Sequence, residues 1–554
     1  MILTAASVGA KQHWTQSTKS LRTPVAGRCT KKWQTGWYSW SHRCPAAQSH
    51  RYNPATSPGA RLGRQRDFLQ FFRAAMLIWF VIIYWVISVG IGLWAALRVR
   101  DAADFAVAGR SLPFYVVTAT VFATWFGSEA VLGIPAEFLK DGLHGVVADP
   151  FGSSLCLILV GLFFAKPLYR MNLLTIGDFY RNRFGRVAET LTTLCIVVSY
   201  LGWVAAQIKA LGLVFYTVSD GAVSQDMGMM IGAGSVLVYT LFGGMWSVAV
   251  TDFIQMIIIV IGMLYIGWEV SGQAGGVGTV VAHAAASGKF SFWPAFNPIE
   301  IIGFVTAWIT MMLGSIPQQD VFQRVTSSRT ERIAGTASVL GGVLYFMFAF
   351  VPMFLAYSAT LIDPEMVAKY INTDSQMILP NLVLQHAPVF AQVMFFGALL
   401  SAIKSCASAT LLAPSVTFAE NVLRPLLPNM DDKRFLRVMQ AVVLTFTVLV
   451  TLFALNSHLS IFHMVESAYK VTLVAAFVPL AFGLFWKRAT KQGGLLAIIL
   501  GLAAWIWCEV FLSDAALPPQ LVGLLASLGA MILGSLGPQW IENRAPTTKA
   551  ATQA

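Results

Sequence analysis

The sequence predicts an all-α polytopic membrane protein with thirteen transmembrane helices, and three observations carry that reading. First, 56% of its 554 residues are hydrophobic and only 12% are charged, about half the charge of an average soluble chain; mean hydropathy is +0.66. Second, thirteen apolar runs follow Met76, near 76–99, 114–139, 150–169, 187–216, 227–247, 249–270, 299–317, 336–361, 388–417, 435–456, 460–485, 492–513 and 518–538. Each approaches or exceeds the ~20 helical residues that a bilayer requires. Third, if the first run starts outside, twenty Lys and Arg fall on inside segments and only Lys140, Lys289 and Lys369 on outside ones. That asymmetry sets the first span's N-terminus outside and the C-terminus in the cytoplasm. A lipid bilayer is thus the first partner, and nothing points to nucleic acid, an obligate protein partner or an organic cofactor.

Residues 1–75 stand apart. They hold twelve Lys/Arg against one acid, Asp67, whereas the rest of the chain is nearly neutral with 26 basic and 25 acidic residues. The segment has no apolar period and no signal-peptide core, and its charge lies on the wrong side of the membrane. It is expected to be a disordered, dispensable leader, with Met76 a serviceable start. The transporter domain is read as 76–540 and the cytoplasmic tail as 541–554. The six cysteines form no spaced framework, and four of them lie in apolar runs, where a thiol behaves as a small hydrophobe.

Taken in order, span 1 has no charged residue between Met76 and Arg98 and is expected to face lipid. Span 2 is interrupted near mid-membrane by Thr118, Thr120, Thr124, Gly127, Ser128 and Glu129, with Gly133-Ile134-Pro135 following. Such a segment reads as a broken helix lining a cavity. Span 4 carries Gln207 and Lys209. Spans 5 and 6 are joined at Gly243-Gly244, and Asp252 sits just inside span 6, where an ordinary helix-start charge is an equal reading. Span 7 breaks at Gly314-Ser315-Ile316-Pro317. Span 9 contains Gly397 to Pro414, GALLSAIKSCASATLLAP, with Ser401, Lys404, Ser405, Cys406, Ser408 and Thr410 inside an apolar run. A central lysine costs ~2.5–3.5 kcal/mol in lipid, so this helix faces protein or water. An ion or solute pathway is the stronger reading, and close packing of small residues the weaker one.

The segments AGRSLPF, LGIP, LTIGDFY, GGMWSVAVTDFIQ, QQDVFQR, LSAIKSCASATLLAPS and WKRATKQGGLLAIILG, in this order on these spans, resemble the sodium:solute symporter family over about Met76 to Trp540. The resemblance implies a core of two inverted five-helix repeats, about 114–270 and 299–485, around a mid-membrane site. It further implies Na⁺ as the coupling ion, held by the carbonyls of Ala123, Phe126 and Ala402, the Ser405 hydroxyl and Cys406. Cys406 stands where the family more often has Ser or Thr, and a thiol is a poor donor for a hard cation. Asp252 matches an acid on the inner sodium route. Glu129, Lys404, Gly314, Ser315 and Gln318 complete a solute and charge network, with Glu129 and Lys404 expected to pair. The function implied is uptake of a small polar or anionic solute with Na⁺ by alternating access, in a bacterial inner membrane. Proton coupling, with Lys404 or Glu129 titrating, and a transport-like sensor are the alternatives. An enzyme is not expected, since Ser, His and Asp form no recognisable signature. The lysines within spans favour an anion, although Lys470 has Glu466 four residues away and Lys209 is open to a structural role.

Overall fold

The computed structural model describes residues 58–512 and 517–541, excluding the side chains of 58–75 and of Tyr239. The chain divides into two units, Met1–Phe72 and Arg73–Ala554, and the description below concerns the second. Helical backbone already begins at Pro58, upstream of the boundary expected at Met76. The disorder expected for 1–57 and the tail from 542 onward lie outside the described residues.

The helices that organise the molecule are α1 (Pro58–Ala96, with its apolar span Met76–Ala96), α2 (Phe114–Trp125) and α3 (Glu129–Gly145), then α4 (Val147–Arg170) and α5 (Arg186–Val218). α6 (Gln225–Gln273), α7 (Pro298–Gly314), α8 (Gln319–Ser327) and α9 (Glu331–Ile362) follow. α10 (Val389–Leu426), α11 (Asp432–Asn456), α12 (Ile461–Phe485), α13 (Lys491–Phe511) and α14 (Pro519–Leu536) complete the series. Ten helices among the described residues are long and apolar enough to cross a membrane, twelve if the bent pairs α2/α3 and α7/α8 each count as one span. Thirteen is not reached on this count. The shortfall lies in α6, whose 49 residues are two helices meeting at a kink at Gly244 (φ 46°, ψ −142°), so that the expected pair 227–247 and 249–270 counts as one. That left-handed backbone suits glycine, and Phe105 closes over the space a side chain would need.

Burial sorts the helices. Of the α1 span 22% is inside the protein, against 78% for α10, so α1 lies at the periphery and α10 runs through the centre. Small residues on α10 permit this: Gly262 of α6 comes so near that an added Cβ would lie 2.8 Å from the Ala398 Cβ. Among the described residues the only bridge of β type joins Leu112, in the AGRSLPF segment, to Ser328 at the end of α8. It ties the entry of α2 to the exit of its counterpart through Leu112 N–H to Ser327 O and Arg329 N–H to Leu112 O, both 3.0 Å.

Candidate functional site

The expected break in span 2 is present: α2 and α3 meet at 53°. Phe126 leaves the helical region (φ −81°, ψ 70°), and the chain turns against α10 at Gly127. A Cβ on Gly127 would lie 2.7 Å from the Cβ and Sγ of Cys406 and 2.9 Å from Gln207 Oε1. Only glycine fits there. The freed Ser128 N–H donates to Gln207 Oε1 at 2.9 Å, so α5 caps the broken end.

On the other side of this turn the Ser405 hydroxyl lies 3.1 Å from the Ala123 carbonyl oxygen and donates to Asp252 Oδ1 at 2.6 Å. The Thr120 hydroxyl donates to Asp252 Oδ2. Asp252 is fully buried, which removes its reading as an exposed helix-start charge. Ala123, Phe126, Ser405 and Cys406 thus share one buried locus with Asp252, and buried Ala402 lies a turn earlier on α10. Its chemistry is a carbonyl, a hydroxyl and a carboxylate converging from three helices, a donor set suited to a hard cation.

A hydrogen-bond chain continues inward from this locus. Thr124 donates to the Thr120 carbonyl (2.6 Å) and accepts from Arg324 Nη2 (2.7 Å), while Arg324 Nη1 donates to the Asp320 carbonyl (3.0 Å). The Tyr200 hydroxyl donates to Asp320 Oδ1 and receives the Asp320 N–H at 2.9 Å. Arg324, one of the twenty basic residues that the sequence reading places on inside segments, is 2% exposed. A basic residue near a span end sorts as a loop charge by position alone, whereas here the Thr124 hydroxyl and the Asp320 carbonyl receive it.

The second expected break, between α7 and α8, bends 44°. Pro317 has no N–H to continue the helix, and Gln318 is extended (φ −73°, ψ 142°). The carbonyl released at Gly314 accepts from Thr472 Oγ1 of α12 at 2.6 Å, and Gln318 Nε2 donates to Ser199 Oγ of α5 at 3.0 Å. A Cβ on Gly314 would lie 2.6 Å from the Tyr469 carbonyl. The Ser315 hydroxyl donates back to the Met311 carbonyl at 2.6 Å, which leaves its lone pairs free to accept.

Glu129 sits past the first break and Asp149 at the start of α4, both buried. Tyr345 Oη donates to Asp149 Oδ1 at 2.6 Å, and Ser153 donates to the same oxygen. Beside them the rings of Trp125, Trp203 and Tyr469 pack with centroids 5.5 to 6.1 Å apart, and Tyr345 stands 6.5 Å from Trp125. Several buried polar atoms around this break have no hydrogen-bond partner among the described residues: Ser128 Oγ, Glu129 Oε1, Gln207 Nε2 and Tyr469 Oη.

Glu129 and Lys404 do not pair. The Lys404 ammonium lies over the rings of Trp85 (4.8 Å) and Tyr84 (5.7 Å) of α1, and among the described residues no ion pair includes Glu129. Successive helical residues point about 100° apart, so with Ser405 and Cys406 turned to α2, Lys404 turns to α1. Lys209 donates to the Leu459 carbonyl at 2.7 Å, a structural role. Glu466 lies 3.4 Å from His463, in place of the expected Lys470 pair. Sequence reasoning misses Asp149, Arg324, Tyr345 and the aromatic cluster. An acid followed by proline at the head of an apolar run, as at Asp149-Pro150, is the available signal.

A family model described as "Sodium:solute symporter family" matches residues 105–501. The human high affinity choline transporter 1 is 28% identical over 450 residues, covering 76% of this chain and 75% of the relative. The high-affinity proline transporter PutP of Bacillus subtilis is 27% identical over 478 residues, covering 80% and 95%. Among solved structures, a Na⁺-coupled sialic acid symporter in its substrate-bound outward-open state shares the fold, with TM-score 0.71, 18% identity and coverage of 83% of this chain and 98% of that one. A nucleobase-cation-symport-1 family transporter aligns at TM-score 0.53 and 16% identity, over 78% of this chain and 94% of its own.

Proposed function

The chain belongs to the sodium:solute symporter family, and from that membership we propose that it is a secondary transporter that brings a small polar solute across the membrane together with Na⁺ by alternating access. The observation that carries this reading is Ser405, whose hydroxyl meets both the Ala123 carbonyl at the first break and Asp252. Sodium would be held by the carbonyls of Ala123, Phe126 and Ala402 and by Ser405, with Cys406 beside it and Asp252 on the route inward. The two broken helices support a solute site between them: in transporters built of inverted repeats, interrupted helices at corresponding positions carry the binding groups. Repeats over about 114–270 and 299–485, thirteen spans with α6 counted as two, and an outside N-terminus to span 1 belong to the same proposal. So does a bacterial inner membrane location, for which the Bacillus relative is the support.

An anionic solute loses its main support, because Lys404 faces α1 and Lys209 is tied to a loop carbonyl. The test is uptake into proteoliposomes of choline and proline, the solutes named for the relatives, under an inward gradient of Na⁺ or of K⁺. Sodium is expected to drive uptake, and Ser405→Ala to raise the Na⁺ concentration giving half-maximal rate. Equal uptake without Na⁺ at a fixed proton gradient would assign the coupling to protons instead.

A further inference from the structure

We propose that α1 is a working part of the sodium site, with Trp85 and Tyr84 as positioning residues. Through Lys404 and Ser401 they fix the rotation of α10 that presents Ser405 to Asp252. The proposal rests on the reading of Ser405 as a sodium ligand. α1 lies outside the proposed repeats, and Trp79, Ile83, Val86 and Ile87 leave one side of it exposed. Its buried residues, Leu77, Val81, Ser88 and Ala95, fall on a single helical stripe. Tyr84 and Trp85 stand half-buried beside that stripe.

The contacts along this face are specific. The Ser401 hydroxyl donates to the Gly397 carbonyl at 2.7 Å, so in its bond with Tyr84 the phenol is the donor. One turn away Phe80 closes over Gly397, where a Cβ would lie 3.3 Å from its ring. Trp85 stands between two helices. Its ring lies 4.8 Å from the Lys404 ammonium of α10, and its centroid is 5.0 Å from that of Phe215 on α5. Tyr84 adds a second ring 5.7 Å from the same ammonium. α6 is joined to α1 as well: Ser247, upstream of Asp252 on the same half of α6, donates to the Gly92 carbonyl.

Lys404 and Ser405 are neighbours on one helix, and their side chains leave it about 100° apart. Holding one therefore sets the direction of the other. Lys404 is fully buried, and aromatic faces receive a cation at a depth where lipid would not. A rotation of α10 that drew the ammonium off Trp85 would also swing the Ser405 hydroxyl away from Asp252 Oδ1 (2.6 Å) and the Ala123 carbonyl (3.1 Å). Ser401, about one turn before Ser405, restrains the same rotation through its bond to Tyr84. With α6 fastened at Gly92, α1 thus carries on one side the two helices whose side chains meet at the sodium locus.

The test measures the Na⁺ concentration that gives half of the full rise in melting temperature of the purified full chain, with K⁺ holding ionic strength constant. Trp85→Leu is expected to raise it about fivefold or more, the range of a desolvated cation–π contact. Lys404→Met should raise it by a similar factor, and the double variant by no more than either alone, because both remove one contact. Trp85→Phe keeps a ring face and should stay within about twofold of wild type. Trp79→Leu, on the exposed side of α1, should leave it unchanged. An unchanged value in Trp85→Leu overturns the proposal, whatever that variant's melting temperature. Where the variant does not fold, Tyr84→Phe, which removes only the oxygen bonded to Ser401, decides in its place: a raised value supports the proposal and an unchanged one overturns it. A lower value in Lys404→Met also overturns it, since the ammonium would then act as a charge that repels Na⁺. Wild type that responds equally to Na⁺ and K⁺ sinks the sodium reading and this proposal with it, a result distinct from a sodium response that the α1 variants leave intact.

Discussion

Arg324 and Gly127 show how few side chains hold the centre. The Arg324 guanidinium spans Thr124 of one broken helix and the Asp320 carbonyl of the other, and the buried carboxylates of Asp252 and Asp320 share its field. Removing one partner of a buried charge network strands the others, at about 3–5 kcal/mol. Arg324→Met should therefore lower the unfolding temperature sharply in detergent. Arg324→Lys, which keeps the charge and loses the fork, should lose less; a melting temperature equal to wild type in the Met variant would show that the network contributes nothing. Gly127→Ala should block the approach of α10, because its Cβ would sit 2.7 Å from Cys406. At Cys406 itself a hydroxyl is the better sodium donor, so Cys406→Ser should leave the half-maximal Na⁺ concentration unchanged or lower it. A rise would remove Cys406 from the site.

At the scale of elements, both broken helices are joined to the scaffold through the carbonyls and N–H groups that the breaks release. Thr472 of α12 serves Gly314, and Gln207 of α5 serves Ser128. Thr472→Val keeps shape and removes that donor, leaving a buried carbonyl short at a cost of about 1–3 kcal/mol. Amide exchange across 313–318 should accelerate in this variant, and unchanged exchange would mean that the break is held by packing alone. These breaks were legible in the sequence because Gly, Pro and hydroxyls clustered inside an apolar run free backbone groups that lipid cannot satisfy. The Gly243-Gly244 junction was legible too, and the backbone does leave the helical region at Gly244. Side-chain azimuth was the weak point. Glu129 and Lys404 were matched by depth, although the helical period with Ser405 facing α2 already directs Lys404 elsewhere. Asp149 is not legible in the sequence because a lone acid at a span end reads as a boundary charge.

Across the whole molecule, the LTIGDFY segment forms a clasp that joins elements far apart in sequence. Thr175 and Asp178 cap the short helix Ile176–Phe184 reciprocally, and the Ile176 N–H donates to Gln319 Oε1 of α8 at 2.8 Å. Asn421, at the end of α10, accepts from Thr175 Oγ1 (2.7 Å) and donates to Glu189 Oε1 of α5 (2.8 Å). Arg186 reaches both Glu189 (3.0 Å) and the Asn421 carbonyl (3.1 Å), and Arg181 reaches Asp178 (3.1 Å). Gly177 permits this closeness, since a Cβ there would meet the Asn421 side chain at 2.5 Å. In the proposed orientation this cluster lies on the cytoplasmic side. Alternating access requires that it open, and a clasp made of a few polar bonds is a two-state element that a single substitution biases. Asn421→Ala removes three side-chain bonds at once, to Thr175, Glu189 and Asp178, worth about 1–3 kcal/mol together, enough to shift an open-to-closed ratio roughly five- to 150-fold. A cysteine placed at Ile176 in this background should react faster with a membrane-impermeant maleimide from the cytoplasmic face, and Na⁺, if it favours the closed state, should slow the reaction again. Labelling at the wild-type rate in both conditions would mean that the clasp is structural and that the inner gate lies elsewhere.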